Sequence, residues 1–480
     1  MASIFDNDEF AGTSTENKEL EKALTAGAGV DASLYEGGRA LQREDLEATL
    51  TNILDVSQND CKLFHKLNKE KIGSTVHQFN IRTDVGDDEF GFIGEGERAT
   101  ESGQEIKRKF AETKYISTKY AVTHQMAMTD AGNEALNSEK VAGVTRITRQ
   151  VERSLFHGDS TVNPKAFDGL VKMIRDSAND TDVKEKLRST RIDIRGLEIG
   201  EKSDVIDAGE ALFDELAEKV YSKGGDLNKA YFPPILAQQF KRLYNEKLRY
   251  LTGDTHTSLT ALPDITTAIG STLSIKGDAG ADKMFKVKGK VVASGNQELR
   301  PHAPTTFTAT AGTDSNSQFA DTDAGDYMYA VHAVNSYGIS AEKAISAPVT
   351  VAAGAKVTLE ITPASDGPVA TGFVITRSKA DGTEMMEMKR VKAAAEGATT
   401  YVDLNEDLPG TASIILLSDY TQEMKPVLSF AQLMPISAFE LKPDSSLAHR
   451  GVIAMYGMPI MRAPAFNAII DNVGYAGGLY

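Results

Sequence analysis

With 480 residues the chain exceeds what one hydrophobic core supports, and roughly two to four domains are expected. A formal net charge of −16, with 41% hydrophobic and 25% charged residues, excludes a broad nucleic-acid surface and docking on anionic membranes, which both need clustered Lys and Arg. The single cysteine, Cys61, excludes an internal disulfide and a Cys-based zinc site. No apolar run reaches the length of a membrane span, and MASIFDNDEFAG lacks the basic and apolar regions of a signal peptide, so folding in a cytosol is expected.

Residues 1–45 are polar and aperiodic, the composition of an arm that orders only against a neighbour. A short helix is expected near Arg43–Leu54. From Val76 to Val122 two extended limbs flank a loop: TVHQFNIRTDVG leads out, with Val76, Gln78 and Asn80 alternating against His77, Phe79 and Ile81. DDEFGFIGEGERATESG forms the tip, and IKRKFAETKYISTKYAVT leads back. So long a hairpin cannot bury itself on its own domain, and its edges invite pairing with another subunit. The acidic tip, with Asp84, Asp87, Asp88, Glu89, Glu95, Glu97, Glu101 and Glu105, suits either solvent or a neighbour's basic patch.

From Ser138 the spacing of Val141, Val144, Thr148, Val151 and Leu155 predicts a helix of about 28 Å with one apolar stripe. Arg146, Arg149, Gln150 and Glu152 fall on the solvated side. Gly158 is placed to end the helix as a left-handed cap, and Asn163-Pro164 turns the chain before Phe167-Asp168-Gly169-Leu170. Residues 171–205 read as charged and irregular. Asp204–Lys223 predicts an amphipathic helix with Ala208, Ala211, Leu212, Leu216 and Val220 inward. A buried strand at Ala230–Phe232 ends in a turn at Pro233-Pro234, and a further helix spans Ala237–Leu251, with Phe240, Leu243, Tyr244 and Leu248 on one side.

Between Arg300 and Thr411 short strand-like runs recur at spacings of roughly 8–15 residues, which predicts a β-sandwich of about 110 residues. The runs are Thr306–Thr310, Tyr327–Asn335, Val349–Val351, Val357–Thr362, Gly372–Arg377, Met385–Val391 and Thr399–Leu404, with Tyr327, Tyr329, Val331 and Ala333 forming one row. Pro301/Pro304 and Asp407–Gly410 bound it, so it reads as an insertion into a host domain. Ser413–Leu417 and Lys425–Pro435 resume the host. Around Ile453 and Met455 a strand is expected, then a Gly-Met-Pro turn and another strand.

Catalytic motifs do not assemble. The eight histidines form no H-E-x-x-H spacing, and Ser160 lacks the second Gly of a nucleophile elbow. Gly94-Glu-Gly96 opens on acids that would repel a pyrophosphate. Asp321, Asp323 and Asp326 depart from EF-hand spacing and read as a solvated turn. No cofactor or metal is expected, and an enzyme is the weakest class because nucleophile, base and oxyanion donor cannot be combined.

FHGDS…NP…FDGL after the long helix, Gly38-Arg39-Ala40-Leu41 with Arg43 and Glu44 in the arm, and Tyr456-Gly457…Arg462-Ala463-Pro464 near the end resemble the major capsid proteins of tailed phages, of the large contractile-tail type. The resemblance covers nearly the whole chain. It implies an α+β, HK97-like fold: an N-terminal arm (1–60), an E-loop region (61–120), a peripheral domain with a long spine helix (121–205), an axial domain (206–300 and 413–449) and closing strands (450–480). The sandwich at 301–412, whose Tyr327–Ser340 run resembles a fibronectin or immunoglobulin strand, is the insert. In several relatives such an insert projects outward.

The implied E-loop tip contacts a neighbouring subunit through Glu89, Phe90, Phe92, Glu95, Glu97, Lys107 and Lys109. Relatives that form a Lys–Asn crosslink offer no marked pair here, although Lys107, Lys109 and Asn80 lie in the arm. The implied partners are further copies in hexamers and pentamers, with portal, scaffold, prohead protease and decoration proteins. The shell encloses double-stranded DNA without specific binding, without a membrane, and is built in the host cytoplasm. An encapsulin-like compartment and a surface adhesin are the alternatives from other classes; a cargo-docking peptide would favour the first, tandem sandwich repeats the second.

Overall fold

The computed structural model describes residues 61–84, 92–93, 95–96, 98, 103–128, 132–203, 207–245, 264–278, 290–341, 343–418, 427–442 and 448–479. The expected arm, its 43–54 helix, Asp87 to Phe90, Gly94 and Glu97 lie outside them.

A short helix α1 (Lys62–Lys66) leads into β1 (Asn68–Lys71), then β2 (Val76–Asp84) and β3 (Glu105–Glu112). After a break at Thr113 come β4 (Lys114–Thr123), α2 (His124–Ala127) and the long helix α3 (Gly132–His157). The returning limb of the hairpin is therefore two strands with different partners. β3 pairs antiparallel with β2, whereas β4 joins a four-stranded sheet in the order β1, β21 (Leu428–Glu440), β22 (Ala448–Met461), β4. The side chains explain the split: Tyr120 and Val122 of β4 are buried, while Ile106 to Phe110 of β3 are exposed.

α3 lies on that sheet, but its buried face is rotated from the expected stripe. Val141 and Val144 are exposed, and Ile147, Val151, Leu155 and Phe156 form the core with Ile453, Met455 and Phe430. Gly143 faces Ile453 so closely that a side chain there would have to displace the end of the Ile453 side chain. Glu152, expected in solvent, is fully buried. Gly158 is not left-handed either. It is small because an added Cβ would strike the carbonyls of Phe167 and Ser154, and its own carbonyl accepts the Gly169 N–H at 2.8 Å.

The stretch expected to be irregular contains α4 (Leu170–Asn179), with Leu170 and Ile174 buried, and β5 (Thr190–Asp193). Five polar residues among its ten, Lys172, Arg175, Asp176, Ser177 and Asn179, hide the helix from a periodicity reading. α5 (Glu210–Tyr221) starts later than expected; Asp207 accepts the Gly209 N–H at 2.8 Å ahead of it, and Ala211 is exposed. β6 (Leu227–Phe232) is the expected buried strand, and α6 (Pro234–Asn245) begins at the proline itself, a first-turn position where a missing N–H costs nothing.

β6 is central to a six-stranded sheet ordered β5, β23 (Ala468–Val473), β20 (Ala412–Ser418), β6, β8 (Thr272–Gly277), β7 (Ile265–Thr266). Both faces are covered. Tyr231, Ile415, Leu417 and Ile469 point into the core beneath α3 and α4, whereas Ala230, Phe232, Leu416 and Ile470 meet α5 and α6. Two covered faces explain the unbroken apolar run Ile414–Leu417. The chain crosses between the two sheets more often than the expected division implies: 428–440 belongs with β4, and 468–473 with β6.

β22 runs straight through Gly457-Met458-Pro459, where a turn was expected. Pro459 is tolerated because β4 pairs β22 only as far as Gly457, so its missing N–H lies on an unpaired edge. Pro435 sits where the β21–β22 register slips.

Residues 294–403 supply β9 (Ser294–Gly295), β10 (Thr306–Thr313), β11 (Gly325–Tyr327), β12 (Tyr329–Asn335), β13 (Gly338–Ile339), β14 (Ala344–Ile345), β15 (Val349–Val351), β16 (Ala355–Thr362), β17 (Gly372–Ser378), β18 (Met385–Lys392) and β19 (Thr399–Asp403). All seven expected runs form strands, although Tyr327–Asn335 breaks at Met328 between β11 and β12, which lie in different sheets. One layer is β18-β17-β12-β13-β9, with β14 on β12; β10-β16-β19 and β11-β15 form the facing sheets. Tyr327, Tyr329, Val331 and Ala333 are the inner row. The outer row is buried as well: Val334 and Val374 pack with Val162, in the turn after α3. That layer meets its host at Val162.

Candidate assembly interface

Among the described residues, β2 and β3 form a two-stranded ribbon with both outer edges unpaired. Opposed residues of an antiparallel pair share a face. One face carries His77, Phe79, Ile81, Lys107, Lys109 and Ala111; Phe79 and Ala111 pack on Ile72, Ala431, Met458 and Ile460 at the ribbon's root. The other face carries Val76, Gln78, Asn80, Arg82, Ile106, Arg108 and Phe110. Of these Phe110 is 71% exposed and Ile106 54%. On the same face Arg108 Nε donates to Asn80 Oδ1 at 3.2 Å, across the two strands.

The expected contact residues divide accordingly. Phe92 and Glu95 are exposed near the tip, and Phe92 has nothing packed over it. Glu89, Phe90 and Glu97 lie outside the described residues. Lys107 and Lys109 sit on the root-side face, Lys107 paired with Glu105 at 3.2 Å. The residues missed are Ile106, Arg108 and Phe110. Alternation within IKRKF marks them as one face, a signal masked by the two lysines between.

The ribbon's root is rigidly held. Arg462 donates to Glu70 Oε2 at 2.6 Å and to Ser429 Oγ at 2.9 Å, and its guanidinium lies 5.9 Å from the Phe79 ring centre. Burial pushes the Glu70 carboxyl up, but hydrogen bonds from Arg462 and Ser429 outweigh it and hold it below the usual range. At the far end Lys184 donates to Asp84. Ahead of the ribbon, the N–H groups of Leu63 and Phe64 in α1 donate to the two oxygens of Glu152, at 2.9 and 2.8 Å. The carboxyl group of an α3 side chain thus caps α1 and ties the ribbon's lead-in to the long helix.

Burial first, and the neighbouring Asp278 second, push Glu152 up to about 9. Its unfolded value lies near 4.5, so the folded chain holds a proton that the unfolded chain releases between those limits. This contribution to stability is complete below pH about 4.5 and is lost as pH rises through about 9. Thermal unfolding followed from pH 6 to 10 should show stability falling, and Glu152→Gln should flatten that slope.

The family model described as SU10 major capsid protein matches residues 25–294, more than half of the chain. The chain belongs to that family. It is a structural capsid subunit, one of the many copies from which a phage shell is built. The major capsid protein of Staphylococcus phage K is 22% identical over 484 aligned residues, 95% of each chain. A protein of Enterococcus phage phiEF24C, provisionally named a major capsid protein, is 24% identical over the same span and coverage. Solved structures align throughout: the capsid of the native GTA particle (TM-score 0.46, 8% identical, 93% of this chain and 100% of that one) and that of Gordonia phage Cozz (TM-score 0.42, 11% identical, 94% and 98%). The subunit's place is the virion capsid.

Proposed function

We propose that the subunit closes an icosahedral shell around double-stranded DNA by laying its β2–β3 ribbon, the E-loop of an HK97-like fold, across a neighbour. The observation that carries this is the exposed Phe110–Ile106 face on a ribbon with two open edges, since such surface is otherwise an aggregation liability. In this reading the four-stranded sheet with α3 is the peripheral domain, the six-stranded sheet the axial domain, and residues 301–412 an Ig-like insert. Closed symmetry multiplies modest contacts into a stable shell, so the mechanism is assembly and not turnover. Copies arranged as hexamers and pentamers, with portal, scaffold, prohead protease and decoration proteins, are the partners, and the host cytoplasm is the place of assembly. The acidic balance suits a wall that confines DNA without holding it.

Negative-stain electron microscopy with sedimentation tests this. Closed shells or capsomers are expected from the native chain. Phe110→Asp should leave thermal unfolding unchanged, because the side chain is exposed, yet abolish particles; unaltered particles would remove the ribbon from the interface.

A further inference from the structure

At the seam between the host domain and the sandwich lies a cleft of about 590 Å³, lined by Arg188, Arg191, Arg195, Lys219, Lys223 and Gln318 among others. Five cations on a chain of net charge −16 are out of keeping with its surface. Two of them are balanced locally: Arg191 Nε donates to Asp471 at 2.7 Å, and Lys219 pairs with Glu215 at 2.5 Å. The other three have only neutral acceptors. Arg188 donates to the carbonyls of Val183 and Thr181, at 2.7 and 2.8 Å. Arg195 donates to the side chain and carbonyl of Gln318, both at 2.7 Å, and Lys223 to the Arg188 carbonyl and Thr190 Oγ1. These bonds hold three positive charges in place without neutralising them. Glu185 and Asp193 also line the cleft; Asp193 accepts from the Arg195 N–H and from Asn472.

We propose that this cleft receives the acidic hairpin-end segment of a second copy of the chain. Between Asp84 and Glu105 the sequence has eight carboxylates and one cation, Arg98. Asp84 meets Lys184 and Glu105 meets Lys107, and the sequence between them keeps a large excess of carboxylates for a basic acceptor. None of the described residues between 84 and 105 lines the cleft of its own chain. The mixed lining selects a peptide over a phosphate: single carboxylates can meet Arg188, Arg195 and Lys223 while peptide N–H groups face Glu185 and Asp193, whereas a phosphate offers acceptors only. A volume of 590 Å³ lies within the range of ligand sites at domain seams. The inference rests on the assembly reading above and names the ribbon's acceptor.

The test is a charge exchange between full-length chains. One variant reverses the cleft (Lys219→Glu with Lys223→Glu) and one reverses the segment (Asp87→Lys, Asp88→Lys and Glu89→Lys). Each alone should lower particle yield at least about tenfold, and mixing the two should restore it, because each then meets its complement on the other copy. Lys219→Glu alone, at a half-exposed side chain, is the version safe for folding and should give a smaller loss. Normal particles from either reversed chain overturn the proposal. So does rescue only when both reversals share one chain, which would place the contact within a subunit. A second readout needs no particles: a labelled peptide of residues 84–105 should bind the native chain and lose at least about tenfold in affinity to the cleft-reversed one. No binding, or displacement by inorganic pyrophosphate where chloride at equal ionic strength is inert, overturns it. If the peptide binds and no particles form, the assembly reading fails and the cleft's specificity stands.

Discussion

Arg377→Met should cost the sandwich about 3–5 kcal/mol, the loss expected when one partner of a buried ion pair is removed. Arg377, on β17, is fully buried and donates to Asp403 Oδ2 at 2.6 Å and to Asn405 Oδ1 at 2.7 Å, across the gap between the two layers. Its guanidinium lies 5.4 and 5.2 Å from the ring centres of Phe319 and Tyr327. Tyr329, directly opposite Arg377 in the β12–β17 register, donates its hydroxyl to the same Asp403 oxygen at 2.9 Å. Burial, then the charge of Asp403, holds that phenol well above its ordinary range, so it remains a donor. Methionine fills much of the volume but strands the Asp403 carboxylate. Thermal unfolding should show an early transition, with hydrogen exchange accelerated in 372–378 and 399–403. Adding Asp403→Leu should recover a large part of the loss, because replacing both partners by apolar groups removes the stranded charge. If the single variant is near neutral, water reaches Asp403 and the layers are less tightly closed than their burial implies.

Asp471→Ala should be comparably severe, again about 3–5 kcal/mol, but in the host domain. Asp471 is fully buried on β23. Arg175 of α4 grips it with two nitrogens, at 2.7 and 2.6 Å, Arg191 of β5 donates at 2.7 Å, and the Ser413 hydroxyl of β20 at 2.8 Å. Arg175 also reaches Asp407 at 3.1 Å, which Lys389 of the sandwich holds at 2.9 Å. The charges of Asp471 and Asp407 outweigh burial and raise the affinity of Arg175 for its proton. Removing Asp471 leaves two guanidiniums facing each other and loosens the link to the sandwich through Asp407. Limited proteolysis should then cut the 404–411 connection faster than in the native chain. Asp471→Asn keeps the shape and removes the charge; if it costs as much as alanine, charge and not packing is the cause.

Several elements were legible because their signal is local. The long helix, the buried Ala230–Phe232 strand, the seven sandwich strands and the alternation of β2 each repeat a side-chain period within a few residues, and period is what a linear reading measures. The hairpin's length and polarity, on which its proposed assembly role rests, were legible too. The ribbon's exposed apolar face was not legible, since Ile106 and Phe110 gain meaning only once Phe79 and Ala111 are seen to occupy the root side.

Tertiary structure decided what depends on distant partners. Glu152 reads as a surface residue until α1, nearly ninety positions earlier, presents its N–H groups. Gly158 reads as a cap until Phe167 returns against it. Arg175 and Asp471 lie 296 residues apart, and no periodicity links them. By itself the sequence determined the class, the elements and the acidic, cysteine-poor character of a shell subunit. Which charges are buried, which face of the ribbon is free and where a basic cleft opens were decided by the fold, because desolvation and charge pairing depend on separation in space.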